Sequence, residues 1–321
     1  MFEKLEFAQK PKKGETWDVA IIGSGPSALT AAIYTTRGAA STIILGGENW
    51  GGQLKLTTVV DNFPGFHEGI QGPELMDRMR FQAERFGAEF VEKNVVRVDF
   101  KKKPFEIYTD EAIRSNSVII ATGARNKWLG ISGEQEFLGR GVATCAPCDA
   151  PFYKDKIVAV VGGGDSALTE ALVLTKYASK VYVIHRRDQF RASFAMQEKA
   201  RKNARIEFLW NTEVIEIMGS SVVEKLKIKN NKTYEEGELL VNGIFIAIGH
   251  TPASELFVGQ VDIDERGYII VHDNTKTSVE GVFAAGEIQD AYYRQAITSA
   301  GFGCMAAMDA LLYLDKNIPT W

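Results

Sequence analysis

One order of elements, a buried strand, a glycine-rich turn, a helix and a second strand, occurs twice in this chain, and that duplication restricts the fold more than any other feature. The first copy has the β-branched run Val19–Ile22, the turn Gly23-Ser24-Gly25-Pro26-Ser27-Ala28, a helix pattern from Leu29 to about Arg37, and the strand pattern Thr42–Leu45. The second has Ile157–Val161, the turn Gly162-Gly163-Gly164-Asp165-Ser166-Ala167, a helix pattern to about Tyr177, and Val181–Ile184. An offset of 139 positions, from Gly23 to Gly162, is far longer than a solenoid period and signals duplicated domains. The expected fold class is α/β, with two Rossmann-like nucleotide-binding domains.

Two further strand ends resemble each other, Val118-Ile119-Ile120-Ala121-Thr122-Gly123 and Ile244-Phe245-Ile246-Ala247-Ile248-Gly249. Read as the places where the chain crosses between domains, they make residues 125–249 an insertion into a discontinuous domain formed by 1–124 and 250–321. The insertion carries both cysteines of Cys145-Ala146-Pro147-Cys148. Near the C-terminus the sequence predicts a hairpin around Glu265-Arg266-Gly267, a strand Gly281–Ala285 ending at Gly286-Glu287, and a long buried helix from Gln295 to Leu314.

With 37 Lys+Arg against 41 Asp+Glu, the net charge of −4 offers no general attraction for nucleic acid or an anionic membrane, so bound phosphate must be held locally. Met1–Trp17 has no apolar run of signal-peptide length, and no later stretch reaches 18 uninterrupted apolar residues. These features predict a cytoplasmic protein. Three cysteines are too few for a disulfide framework, so a close pair points to catalysis or metal.

In the first turn Gly23 permits the bend, Gly25 lets a pyrophosphate approach the backbone, and Ala28 allows helix–strand contact; the helix then presents free N–H groups. The acidic ribose partner expected after the next strand is missing, because Gly46-Gly47 precedes Glu48. That disfavours NAD and remains compatible with FAD. The second turn, Gly162, Gly164 and Ala167, is followed by His185-Arg186-Arg187 and Arg191. Arginine there suits a ribose 2′-phosphate, hence NADPH. Two charge-assisted bonds at about 1.5–3 kcal/mol each would give a preference over NADH on the order of a hundredfold or more.

Cys145 and Cys148 can close into a small, readily reduced ring, and such pairs often hold a thiolate with a pKa near 7. The competing reading is half of a zinc site, which would need two more ligands from Cys304 and four scattered histidines, His67, His185, His250 and His272. Asp149 directly follows the pair and is either a surface carboxylate or the proton carrier that dithiol chemistry requires. Cys304, within Gly303-Cys304-Met305-Ala306-Ala307, reads as helix packing.

Over roughly residues 17–315 the chain resembles the low-molecular-weight thioredoxin reductases, two-domain flavoproteins. The resemblance rests on Gly23-Ser24-Gly25-Pro26, Gly51-Gly52-Gln53-Leu54, Cys145-Ala146-Pro147-Cys148-Asp149, the second glycine turn, His185-Arg186-Arg187 with Phe190-Arg191-Ala192, and Tyr293-Arg294-Gln295-Ala296. It implies a homodimer whose outer domain holds FAD and whose inserted domain holds NADPH and the disulfide. Hydride would pass from NADPH to flavin and electrons onward to the cysteines, which reduce thioredoxin. By position, Cys148 would face the flavin, Cys145 would attack the partner disulfide and Asp149 would handle the proton.

The implied FAD contacts are Gly23, Ser24, Gly25, Pro26, Ser27, Gly52, Gln53, Asn62, Ala121, Thr122, Gly123, Gly286, Glu287, Arg294, Gln295 and Ala296. The NADPH contacts are Gly162, Gly164, Asp165, Ser166, Ala167, His185, Arg186, Arg187 and Arg191. No metal is expected. The resemblance also implies rotation of the inserted domain, with hinges near Gly123 and Gly249. The chain departs from the family pattern at Glu287, where aspartate is usual, at Ala150 after Cys-Asp, and at Ser27-Ala28. Reduction of another disulfide protein, action as a dithiol oxidase, and a non-catalytic sensing or metal-holding module are the competing functions.

Overall fold

A computed structural model describes residues 7–317; the stretch Met1–Trp17, read for an apolar run, falls partly outside the described residues. The chain forms two compact units, one running to Arg125 and resuming at Thr251, the other spanning Asn126–His250. The α-helices are α1 (Pro26–Arg37), α2 (Gly72–Arg85), α3 (Ala146–Asp149), α4 (Asp165–Leu174), α5 (Phe194–Arg201) and α6 (Ala296–Asn317).

In the discontinuous unit a seven-stranded sheet has β1 (Thr16–Ile22) between β2 (Thr42–Leu45) and the strand Ala112–Ile120. Both pairings are parallel, with Val19 beside Thr42 and Ile21 beside Ile119. Val282–Ala284, from the far end of the chain, joins the same sheet parallel to Val118–Ile120. A parallel strand with both faces covered needs apolar side chains throughout, and Val19–Ile22 supplies them. The two-residue period of a strand then divides them. Val19 and Ile21 enter the core with Leu29, Ala32 and Ala307, whereas Ala20 and Ile22 meet Phe105, Ile120 and Phe257 on the other face.

The inserted unit repeats the plan. Its five-stranded sheet runs in the order Val142–Ala143, Gly243–Ile246, Ile157–Val161, Lys180–His185, Ile206–Trp210, with every pairing parallel. Val158 and Val160 pack on Ala167, Leu168 and Ala171 of α4, while Ala159 and Val161 face Ile184, Ile244 and Leu226. An antiparallel three-stranded sheet, Thr212–Gly219, Val223–Asn230 and Glu236–Leu240, supplies part of this second core. The small residues that open each helix, Ala28 and Ala167, let it approach its sheet closely enough to present its N-terminus at the strand ends.

Two local expectations change. The second helix stops at Leu174 and Tyr177 lies in a turn, because the Tyr177 and Ala178 N–H groups close back on the Leu174 carbonyl. The long C-terminal helix is only partly buried. Ala306, Ala307, Ala310 and Leu314 pack inward, where α6 meets α1, but Ile297, Met305, Met308 and Leu312 are exposed. By length and hydropathy α6 could cross a membrane; its alanine face against α1 is the behaviour of a core helix. Cys304 is half-buried on this helix, with its thiol against the Tyr34 hydroxyl, which raises the tyrosine pKa.

Candidate functional site

The two glycine turns show the same steric division of labour. A Cβ on Gly23, whose φ is +127°, would stand 2.2 Å from the Ala121 carbonyl oxygen, and one on Gly162 would stand 2.4 Å from that of Ala247. These glycines let the turn press against the neighbouring strand. Gly25 and Gly164 differ, since a Cβ on either would meet nothing within 4 Å. The open space lies at the N-cap positions of α1 and α4, where the first N–H groups of the helix and its dipole favour phosphate. Both turns therefore fit a pyrophosphate on steric grounds.

In the first unit, residues far apart in sequence close around the Gly23 turn. Ser24 is buried; its hydroxyl donates to the Gly46 carbonyl at 2.8 Å and accepts the Gly51 N–H at 3.0 Å. Gly52 lies beside Gly25, a Cβ there falling 3.7 Å from the Gly25 Cα, and Gly286 packs on Ser27. Pro26 occupies the first turn of α1. Gln53 donates through Nε2 to the Ala124 carbonyl and to the Glu287 carboxylate, each at 2.9 Å. Burial pushes the Glu287 carboxyl up to about 7, against the opposing pull of Arg294. Ala121 is buried, the Thr122 hydroxyl donates to the Ala253 carbonyl at 2.8 Å, and Gly123 has a φ of +68°. Asn62 reaches Gln295 at 3.4 Å, just before Ala296 opens α6.

Arg294 has a left-handed φ of +50°, and the sequence reading missed what holds it there. Buried Asp290 accepts the N–H groups of Tyr292, Tyr293 and Arg294, each at 2.9 Å. An aspartate two to four residues before a backbone reversal is an Asx-type turn signal, available in the sequence.

In the second unit the strand after the glycine turn ends at His185. Its ring is buried against Gly163, and Nε2–H donates to the Gln189 carbonyl at 3.0 Å. Desolvation, helped by Arg187 and Arg191, lowers the imidazole pKa, so the ring is a neutral support beneath the turn. Arg186, Arg187 and Arg191 are exposed beyond it. The Arg191 and Ala192 N–H groups both donate to the Gly163 carbonyl. Exposed Asp165 accepts the Ser193 N–H at 2.9 Å and hydroxyl at 2.7 Å, which lowers its pKa; Ser166 beside it is exposed and Ala167 buried. The arginine loop is thereby stitched to the phosphate turn.

Cys145 and Cys148 are joined as a disulfide, with Cα atoms 5.3 Å apart, across the start of α3. The Asp149 N–H donates to the Cys145 carbonyl at 3.1 Å, which closes the short helical turn between the two cysteines and the carboxyl-bearing residue. Burial alone raises that carboxyl to about 6, and it in turn adds to the burial that drives the Tyr153 phenol up to about 12. Glu170 of α4, which the sequence reading did not select, accepts the Ala146 N–H at 2.6 Å. Among the described residues no group of three or more His, Cys, Asp or Glu side chains gathers as for a metal ion.

Comparison with known proteins gives a consistent result. Residues 17–303 match the family described as pyridine nucleotide-disulphide oxidoreductase. The chain is 51% identical to the thioredoxin reductase of Rickettsia typhi, over 94% of this chain and 99% of that one. It is 49% identical to thioredoxin reductase 1 of Saccharomyces cerevisiae, over 92% and 97%. The solved thioredoxin reductase of Giardia duodenalis superposes with a TM-score of 0.90 at 41% identity, covering 94% of this chain and 99% of that one.

Proposed function

The chain belongs to the pyridine nucleotide-disulphide oxidoreductases, and from that membership we propose that it is an NADPH-dependent flavoprotein that reduces thioredoxin through the Cys145–Cys148 disulfide. The observation that carries this reading is the closed disulfide with the raised carboxyl of Asp149 at its end, in the same unit as a phosphate turn bordered by exposed arginines. FAD, which suits the Gly23 turn and its Gln53–Glu287 surround, would supply when bound the acceptor for the NADPH hydride that no side chain here provides.

The remaining roles belong to the chain. The Gly164 backbone receives the coenzyme pyrophosphate, and Arg186, Arg187 and Arg191 select its 2′-phosphate. When the S–S bond breaks, two electrons and one proton enter: Cys145 is left as a thiolate, and Asp149 passes a proton to the sulfur of Cys148 because its pKa of about 6 lies close to cellular pH. The Cys145 thiolate then attacks one sulfur of the partner disulfide and displaces the other as a thiolate, which takes a proton from water. Cys148, returning its proton to Asp149, attacks the Cys145 sulfur, breaks the mixed disulfide and re-forms the internal bond; the second partner sulfur leaves as a thiolate and is protonated, completing the dithiol.

A homodimer, supported by the exposed apolar side of α6 at Ile297, Met305, Met308 and Leu312, and a cytoplasmic location complete the proposal. The test is anaerobic titration of the purified, yellow protein. NADPH should bleach the flavin, NADH should do so poorly, and oxidised thioredoxin should restore the colour faster than small disulfides do. A colourless protein, or one indifferent to thioredoxin, would refute the proposal.

A further inference from the structure

We propose that Asn231 is a positioning residue for coenzyme selection, holding the backbone of the arginine pair in the pose that a ribose 2′-phosphate needs. The proposal deepens the NADPH assignment and rests on the reading that Arg186 and Arg187 meet that phosphate.

The two arginines follow the strand Lys180–His185 on an exposed bend, where their long side chains are free. What the fold can fix is the backbone from which they project. Asn231, at the turn after the strand Val223–Asn230, donates through Nδ2 to the Arg186 carbonyl at 2.7 Å. Its own N–H donates to the Asn211 carbonyl, also at 2.7 Å, and the Asn211 N–H donates to the Arg187 carbonyl at 3.3 Å. Two successive carbonyls of the arginine pair are thus held by two asparagines that are bonded to each other.

Both asparagines sit on fixed backbone. Asn211 is the single residue between the strands Ile206–Trp210 and Thr212–Gly219, and it turns the chain with a left-handed φ of +52°, a conformation asparagine tolerates. The Asn231 turn is closed by Asn230, whose side-chain oxygen accepts the Lys232 and Thr233 N–H groups at 2.8 and 3.1 Å. The opposite side of the arginine bend is bonded to the glycine turn through Arg191 and Ala192. The bend is therefore anchored at the phosphate turn and at the three-stranded sheet, so the distance between pyrophosphate and 2′-phosphate subsites is set in advance. Preorganisation of this kind improves binding by reducing what must be ordered on association. A neutral amide suits the position, because an aspartate would place an oxygen against the Arg186 carbonyl and a negative charge near the phosphate.

The test uses the flavin-loaded protein and two probes that differ only in the group at issue, adenosine 2′,5′-bisphosphate and AMP, followed by protein fluorescence or calorimetry. N231A should weaken the bisphosphate about 5–10-fold and AMP less than twofold. With both arginines truncated, R186A/R187A/N231A should bind the bisphosphate no more weakly than R186A/R187A, since Asn231 acts through that pair. Equal weakening of both probes by N231A, or a further loss on adding N231A to R186A/R187A, would overturn the proposal. If R186A itself leaves the ratio of the two affinities unchanged, the arginine reading fails and this inference with it. If R186A lowers that ratio and N231A does not, the arginine reading stands and Asn231 has no such role. N231S, which keeps a small hydrogen-bonding side chain, serves the same comparison should N231A be poorly folded, and it should show a smaller selective loss.

Discussion

Gln53 donates to the Glu287 carboxylate at 2.9 Å, joining residues 234 positions apart. Because the same nitrogen also reaches the Ala124 carbonyl, one amide ties together three segments of the discontinuous unit. Glutamate is one methylene longer than the aspartate usual in the resembled family, and here its carboxylate reaches Gln53. The penalty is a half-buried carboxyl whose pKa rises from an ordinary 4.5 to about 7.

That shift has a definite sign. The folded chain keeps a proton on Glu287 up to about pH 7, whereas the unfolded chain loses it near 4.5, so stability declines as pH rises between those values. E287Q has no charge to bury and should not share the decline. Thermal unfolding of flavin-free protein, compared between pH 5 and 8.5, should show E287Q gaining on wild type with pH by about 2–3 kcal/mol. A gap independent of pH would remove Glu287 as the cause.

Asp149 should appear in the kinetics. Its carboxyl titrates at about 6, and D149N should lower thioredoxin turnover on the order of 10²-fold while the protein still binds flavin. The pH–rate limb near 6 should be present in wild type and missing from the variant. Persistence of that limb in D149N would assign it to another group.

Cys148→Ser and Cys145→Ser should both abolish thioredoxin reduction, since neither can re-form the bridge. Both should remain yellow and still be bleached by NADPH, because the coenzyme sites lie outside the pair. Stopped-flow absorbance separates the two steps.

The glycine turns offer a paired test of fit. G23A forces a Cβ to within 2.2 Å of a carbonyl oxygen at a φ of +127°, and should cost about 2–4 kcal/mol of stability. G25A meets open space at a φ of −76°, which alanine adopts freely, so its melting temperature should hold while its flavin content falls. Calorimetry together with the flavin-to-protein absorbance ratio distinguishes these outcomes. Normal flavin retention in G25A would place the pyrophosphate elsewhere.

The doubly wound core is legible in the sequence because it is specified locally. Four or five consecutive apolar residues, all but one of them β-branched, a glycine bend and a small-residue helix start are sufficient to announce Val19–Ala28 and Ile157–Ala167. The cysteine pair is legible for the same reason. The supports around these features are side-chain to backbone bonds across distance. Glu170 reaches Ala146 across 24 positions and Asn231 reaches Arg186 across 45, so no period or spacing betrays them. The C-terminal helix shows a third kind of limit. Its composition reveals apolar character, but the division between Ala306, Ala307 and Ala310 inside and Met305 and Met308 outside depends on α1, which follows β1 nearly three hundred residues earlier.

The strand Val282–Ala284 and the helix α6 complete a sheet and a core begun by β1 and α1. During synthesis the ribosome therefore releases the whole of Asn126–His250 before the surrounding unit has the segments that finish it. At about 5–20 residues per second the early portion waits on the order of ten seconds, with its apolar helix face uncovered. Vectorial translation thus favours maturation of the guest before its host, and makes the nascent N-terminal portion the part of this chain with most need of a chaperone.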